Sequence, residues 1–220
     1  MATLTSDWDD YLVELREDAH QLLSWGYSDS KAKLIKAKDE YELTGLLADS
    51  IEARIDSPTT PERFMFYSVH NEKPISPGCE LGKKRPRLDI QIQRHGVRPK
   101  PHFTFEAKRL RDDTSCSVSD TMKEYLGNKG LGRFIEGLYS AESSEAAMLG
   151  CVQAHDSAFW FQQVEDAFSG DTANGGPLYA VTAPLTLAGV LADFPDERSS
   201  THKRRSGNTI KLFHLFIDCR

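Results

Sequence analysis

The stretch RPRLDIQIQRHGVRPKPHFTFEAKRLR, residues 85–111, decides how this chain is read. Leu88-Asp89-Ile90-Gln91-Ile92 alternates apolar and polar residues, and so does His102-Phe103-Thr104-Phe105-Glu106-Ala107-Lys108. A period of two is the signature of a half-buried strand. The segment between them, RHGVRPKP, carries one glycine and two prolines and reads as the link of a hairpin. Residues of equal parity share a strand face. Leu88, Ile90 and Ile92 therefore fall together, opposite Asp89, Gln91 and Gln93. Phe103, Phe105 and Ala107 fall together, opposite Thr104, Glu106 and Lys108. Pairing the two strands gathers Asp89, Glu106 and Lys108 on one polar surface. Converging carboxylates suit a hard divalent cation such as Mg²⁺. Such an ion polarises a phosphoryl oxygen and acidifies a bound water. A neighbouring lysine stabilises developing negative charge or orients the attacking water.

Around this hairpin the pattern changes from period two to helical spacing. Residues 7–24 place Trp8, Tyr11, Leu12, Leu15, Ala19, Leu22 and Leu23 at helical spacing, which predicts a helix ending at Gly26. Residues 30–55 are helical again, with Leu43, Leu46, Leu47, Ile51 and Ile55 as a stripe that Pro58 stops. A break near Lys38 and Asp39 is expected, with Asp39 as the cap. RFMFYSVH, residues 63–70, reads as a strand, followed by a turn-rich stretch. After the hairpin, residues 112–120 read as loop. Residues 120–140 are helix-like but broken by GNKGLG. EAAMLGCVQ at 145–153 is a buried strand, residues 157–170 a helix, residues 176–184 a turn into an extended segment, and residues 209–218 a terminal strand. LTLAGVLADF, residues 185–194, fits either class. The order α-α-β-β-β-α-β-α-β predicts an α/β fold with a mixed central sheet flanked by helices.

Composition narrows the function classes. The chain has 220 residues with 39% apolar and 27% charged content, enough for one sizeable globular domain. No run approaches the roughly 18 apolar residues of a membrane span, so no membrane partner is expected. The acidic, amphipathic N-terminus lacks the pattern of a secretory leader. The cysteines at 79, 116, 151 and 219 form no CxxC pair, which points to a reduced, cytoplasmic chain and away from a zinc site. A net charge of −6 argues against a generally basic coat protein. Yet residues 83–111 are dense in Lys and Arg, and HKRR at 202–205 forms a second basic cluster. These fit a polyanion-binding face or, equally, a solvated loop.

An Asp, a loop, and then an apolar-flanked Glu-x-Lys resembles the PD-(D/E)xK nuclease superfamily, the restriction-endonuclease-like fold. The matching residues are RLDI, with Asp89, and FEAK, with Glu106 and Lys108. Leu88 stands where the family's name has proline. The resemblance implies an αβββαβ core over about residues 39–151, preceded by an N-terminal helical extension at 1–38. The nuclease-like domain would then be residues 39–220. It implies a phosphodiester hydrolase, expected on DNA, serving defence, restriction, repair or a mobile element. Asp89 and Glu106 would bind Mg²⁺, which Mn²⁺ could replace, and Lys108 would act in catalysis. A glutamate from the preceding helix often joins such a set. Glu42 is the choice here, as both metal ligand and catalytic residue, with Glu40 second and Glu52 also available. The alternative is that these are ordinary solvated helix acids.

Lys129 and Arg133, beyond the Glu-x-Lys strand, are candidates for nucleic-acid contact, as are Lys203, Arg204 and Arg205. The amides of Gly127, Gly130 and Gly132 could approach phosphates, or the glycines could serve a tight turn. No HExxH pairs the histidines, and no GxSxG marks a serine hydrolase. Trp160, between Phe159 and Phe161, reads as core rather than as a base-stacking platform. A reading from a different class is a non-catalytic nucleic-acid-binding or assembly subunit that keeps the fold. A third is an RNA-processing or small-molecule hydrolase on the same scaffold. A protein partner or homo-oligomer would supply specificity, since no helix-turn-helix or zinc finger is present.

Overall fold

A computed structural model describes residues 5–37, 39–74, 87–176 and 178–220. Most of the turn-rich stretch after the first predicted strand, with Cys79, Lys83, Lys84 and Arg85, lies outside the described residues, as does Lys38. Helix α1 spans Thr5–Leu34 and α2 spans Glu40–Ile55. Asp39 caps α2 as expected, its side chain accepting the Glu42 N–H at 2.8 Å. Gly26 does not end α1. A Cβ there would meet Ile51 Cγ1 at 2.5 Å, so this glycine lets α1 and α2 pack closely mid-helix.

A 3₁₀ turn at Glu62–Phe66 delays the first strand, so β1 is Tyr67–Pro74, later than the pattern suggested. Strands β2 (Arg87–Arg94) and β3 (His102–Leu110) form the predicted hairpin. Helix α3 (Val118–Leu126) starts inside the expected loop because Ser117 caps it, accepting the Asp120 N–H. The short α4 (Leu131–Ile135) follows, then β4 (Glu145–Val152), α5 (Ser157–Ala173), β5 (Val181–Leu187), β6 (Arg198–Lys203) and β7 (Thr209–Asp218). Strand β6 was not anticipated: RSSTHK is polar, and its charged residues hide the alternation.

The protein is mixed α/β. Its seven-stranded sheet has the order β1-β2-β3-β4-β7-β6-β5. Strands β1 to β3 pair antiparallel, β3, β4 and β7 run parallel, and β6 and β5 return antiparallel. The parallel centre is buried on both faces, which explains the unbroken apolar run of β4. Ala147, Leu149 and Cys151 join the layer built with α1 and α2. Ala146, Met148 and Val152 join the opposite layer with Tyr125, Phe134 and Trp160. Helix α1 shares the first of these cores: Leu15, Ala19, Leu22 and Leu23 pack in one cluster with Phe103, Phe105 and Phe213. The described cysteines 116, 151 and 219 are free thiols. No described helix is long and apolar enough to cross a membrane.

Candidate active site

The site forms where the hairpin opens. The β2–β3 ladder runs from Gln93↔His102 to Ile90↔Phe105 and then stops. One step further, Asp89 faces Glu106. The Asp89 side chain takes over from the backbone there, with Oδ2 accepting the Ala107 N–H at 2.7 Å. A carboxylate thus satisfies an amide that the ladder would otherwise have used, and the strands part. Past this point Leu88 leaves the face of Ile90 and Ile92 and packs in the opposite layer.

Asp89, Glu106 and Lys108 are 7%, 3% and 6% exposed, an unusual depth for three charged groups. The Lys108 Nζ donates to Glu106 Oε1 at 2.9 Å, to Glu40 Oε1 at 2.8 Å and to the Ala107 carbonyl at 2.6 Å. It lies 3.8 Å from Asp89 Oδ2. Glu40 opens α2, where the Asp39 cap fixes the chain and the helix dipole favours a carboxylate. The structure therefore brings Glu40, not Glu42, to the hairpin acids. Two residues along a helix turn the side chain about 200° away; Glu42 is exposed and does not line the site.

Three carboxylates around one ammonium leave an excess of negative charge. Burial pushes the Asp89 carboxyl up to about 6; Lys108 opposes this and Glu40 adds to it. Burial, followed by the Asp89 charge, holds Glu106 well above the usual carboxylate range despite Lys108. Burial disfavours the Lys108 ammonium, but Glu106, Asp89 and Glu40 together raise its pKa above the ordinary lysine value. Glu106 Oε2 is buried with no hydrogen-bond partner among the described residues. An orphaned carboxylate oxygen beside excess negative charge fits a bound cation. Among the described residues, no group of three or more His, Cys, Asp or Glu side chains is already spaced to hold a metal. That agrees with the ammonium standing between Glu40 and Glu106.

The acids sit in a cavity of about 420 Å³. Its wall includes Arg87, Arg109, Arg111, Lys129 and Arg133, none of which except the last two was singled out from sequence. Arg133 lies 5.3 Å over the Tyr139 ring, and the Tyr139 hydroxyl donates to the Arg87 carbonyl at 2.7 Å. Glu72 also reaches the cavity, from a β1 position with φ of +52° that is skipped in the pairing opposite Asp89. The signal for the arginines was present in the quoted stretch, which holds Arg87, Arg109 and Arg111. Nothing in its periodicity said which of them turn inward.

The other predicted contacts divide. The amides of Gly127, Gly130 and Gly132 bond to the carbonyls of Lys123, Gly127 and Gly127, so the glycines serve the tight turn and offer no free N–H. Lys203 and Arg205 border a second cavity of about 280 Å³ with Asn128 and Gly132, and Arg205 pairs with Glu136 at 3.2 Å. Arg204 must be corrected. It is 4% exposed, and its guanidinium donates to the carbonyls of Ala141, Ser140 and Ser143 at 2.6–2.9 Å. It borders the same second cavity, but its terminal nitrogens are spent on closing the turn before β4. Arg204→Ala should cost stability, about 2–4 kcal/mol for carbonyls left without donors, and leave nucleic-acid binding at the wild-type level. Urea unfolding and a binding titration on the same sample check both halves.

No family model, curated protein or solved structure matches the chain.

Proposed function

We propose that the protein is a divalent-metal-dependent nuclease that hydrolyses phosphodiester bonds, with DNA as the expected substrate. The observation that carries this reading is the convergence of Asp89, Glu106 and Glu40 on Lys108, inside a cavity walled by arginines. Carboxylates in an arginine-lined hollow suit a polyanion that reacts through a cation. The order α2-β1-β2-β3-α3-α4-β4 supports the reading, since apart from the short α4 it follows the αβββαβ core that the Asp89, Glu106 and Lys108 motif implies.

Asp89, Glu106 and Glu40 would hold Mg²⁺ or Mn²⁺, which would polarise the phosphate and activate a water. Lys108 then faces the charge that builds on the phosphate. Its burial makes that charge more effective than in water. Arg133 and Lys129 lie on the wall where an incoming backbone would be gripped. A protein partner or a second copy would supply sequence specificity, and the cytoplasm is the compartment this reading expects.

The test is incubation of the purified protein with linear, circular and single-stranded DNA, and with RNA, in Mg²⁺, Mn²⁺ or EDTA. Metal-dependent cleavage that EDTA abolishes supports the reading. Binding without cleavage in every arm replaces it with a non-catalytic nucleic-acid-binding subunit. The helix glutamate gives a sharper check. Glu40→Ala should slow cleavage by about tenfold or more and raise the Mg²⁺ concentration needed for half-maximal rate. Glu42→Ala should leave both near wild type. Equal effects of the two substitutions would remove Glu40 from the site.

A further inference from the structure

The arginines of the cavity wall are not equivalent. Arg87 lies 3.7 Å from Glu72, Arg111 lies 3.8 Å from Asp113, and Arg133 rests on Tyr139. Arg109 makes no ion pair among the described residues, although it lines the same cavity as five carboxylates. It is held another way. Its Nε donates to Gln153 Oε1 at 2.7 Å. Gln153 follows the end of β4, where its backbone N–H donates to the Leu110 carbonyl at 2.8 Å. Its side-chain amide reaches the Ala37 carbonyl at 3.5 Å, in the connection that leads to Glu40. One glutamine thus ties together the end of β3, the end of β4 and the approach to α2.

The consequence lies in which nitrogen is used. A guanidinium has one inner N–H, at Nε, and an outer edge formed by its two terminal nitrogens. Gln153 occupies the inner N–H. Among the described residues, the outer nitrogens have no hydrogen-bond partner. The side chain is half-buried, so its stem is held while its planar end borders the cavity. A fixed guanidinium with its fork unspent matches the paired oxygens of a phosphate. Strand alternation sends Arg109 to the face opposite Lys108, yet both border the same cavity, and β2 no longer pairs beside Arg109.

We propose that Arg109 grips a phosphate group of the substrate through both terminal nitrogens, and that Gln153 is the positioning residue that aims it. This deepens the nuclease reading and rests on it for the identity of the substrate. The grip requires a planar fork, not charge alone, so lysine is a poor replacement.

The experiment measures binding of a labelled single-stranded DNA oligonucleotide in Ca²⁺ at several salt concentrations, with cleavage in Mg²⁺ measured alongside. Arg109→Ala should weaken binding about tenfold or more and reduce the log–log salt slope by about 0.7, one phosphate contact on a single strand. Arg109→Lys should restore the slope but not the affinity. Gln153→Leu should weaken binding several-fold with the slope unchanged, because the charge remains, and should add nothing in an Arg109→Ala background. Additive losses, or full rescue by lysine, would overturn the proposal, and so would wild-type protein that does not bind the oligonucleotide. The two readings fail separately. Cleavage indifferent to Arg109 removes the grip and keeps the nuclease; Arg109-dependent binding without any cleavage keeps the grip and removes the nuclease.

Discussion

Lys108→Ala should cleave at least about a hundredfold more slowly than wild type, the scale of losing one preorganised electrostatic group. The ammonium helps most when negative charge builds on the phosphate, so the loss should fall on the rate and less on substrate affinity. Single-turnover cleavage at saturating Mg²⁺, set beside binding in Ca²⁺, separates the two. A rate and an affinity that fall in equal proportion would make Lys108 a phosphate anchor only. The structure adds a second expected effect. Lys108 is the shared partner of Glu106, Glu40 and Asp89, and its removal leaves buried carboxylates uncompensated. Breaking a buried pair by deleting one partner costs about 3–5 kcal/mol. The metal-free variant should therefore unfold earlier, and Mg²⁺ should recover part of the loss by replacing the missing positive charge. Lys108→Arg keeps the charge but cannot fit its planar group among three partners set for an ammonium, so it should rescue the rate only in part.

How much of this was legible in the sequence depends on whether a residue's role is local. Asp89, Glu106 and Lys108 sit on alternating strands, where parity alone assigns faces, and their meeting followed from one hairpin. The α2 cap at Asp39 and the buried strand β4 were readable for the same reason. The choice between Glu40 and Glu42 was not, because both lie in the first turn of α2 and only the packing of that helix decides which one faces Lys108. Gly26 misled because a glycine that ends a helix and one that admits a second helix look alike until Ile51 is beside it. Arg204 stands among basic neighbours in the sequence, yet just past β6 it turns inward to three carbonyls. Its neighbour His202 is likewise fully buried, bonded to Ser200 Oγ at 2.7 Å, and held neutral by burial down to about pH 4. Tertiary contacts of this kind leave no period in the sequence.

Asp89→Asn should abolish metal-dependent cleavage and at the same time make the metal-free protein more stable at neutral and alkaline pH. The sign follows from the carboxyl itself. Burial raises its pKa from 3.8 to about 6, so the folded state binds this proton more tightly than the unfolded chain does. A raised carboxyl contributes stability that is fully present below the unfolded value and is lost as pH rises through the folded value. Between about pH 4 and pH 6 the wild type should therefore lose about 1–3 kcal/mol that the asparagine variant keeps. Asparagine can still accept the Ala107 N–H through its amide oxygen, so the splayed hairpin end is retained. The attraction of Lys108 at 3.8 Å is already contained in that raised value, which would stand higher without it. Thermal unfolding of both proteins from acid to mildly alkaline pH, in EDTA, reads the difference directly: curves that coincide near pH 4 and separate above pH 6 are expected. Adding Mg²⁺ at alkaline pH should then raise the melting temperature of the wild type and leave the variant's nearly unchanged, because the destabilising carboxylate is the one that gains from the ion. A variant that is less stable than wild type at every pH would mean that Asp89 is held for packing, and one that still cleaves would place the chemistry elsewhere.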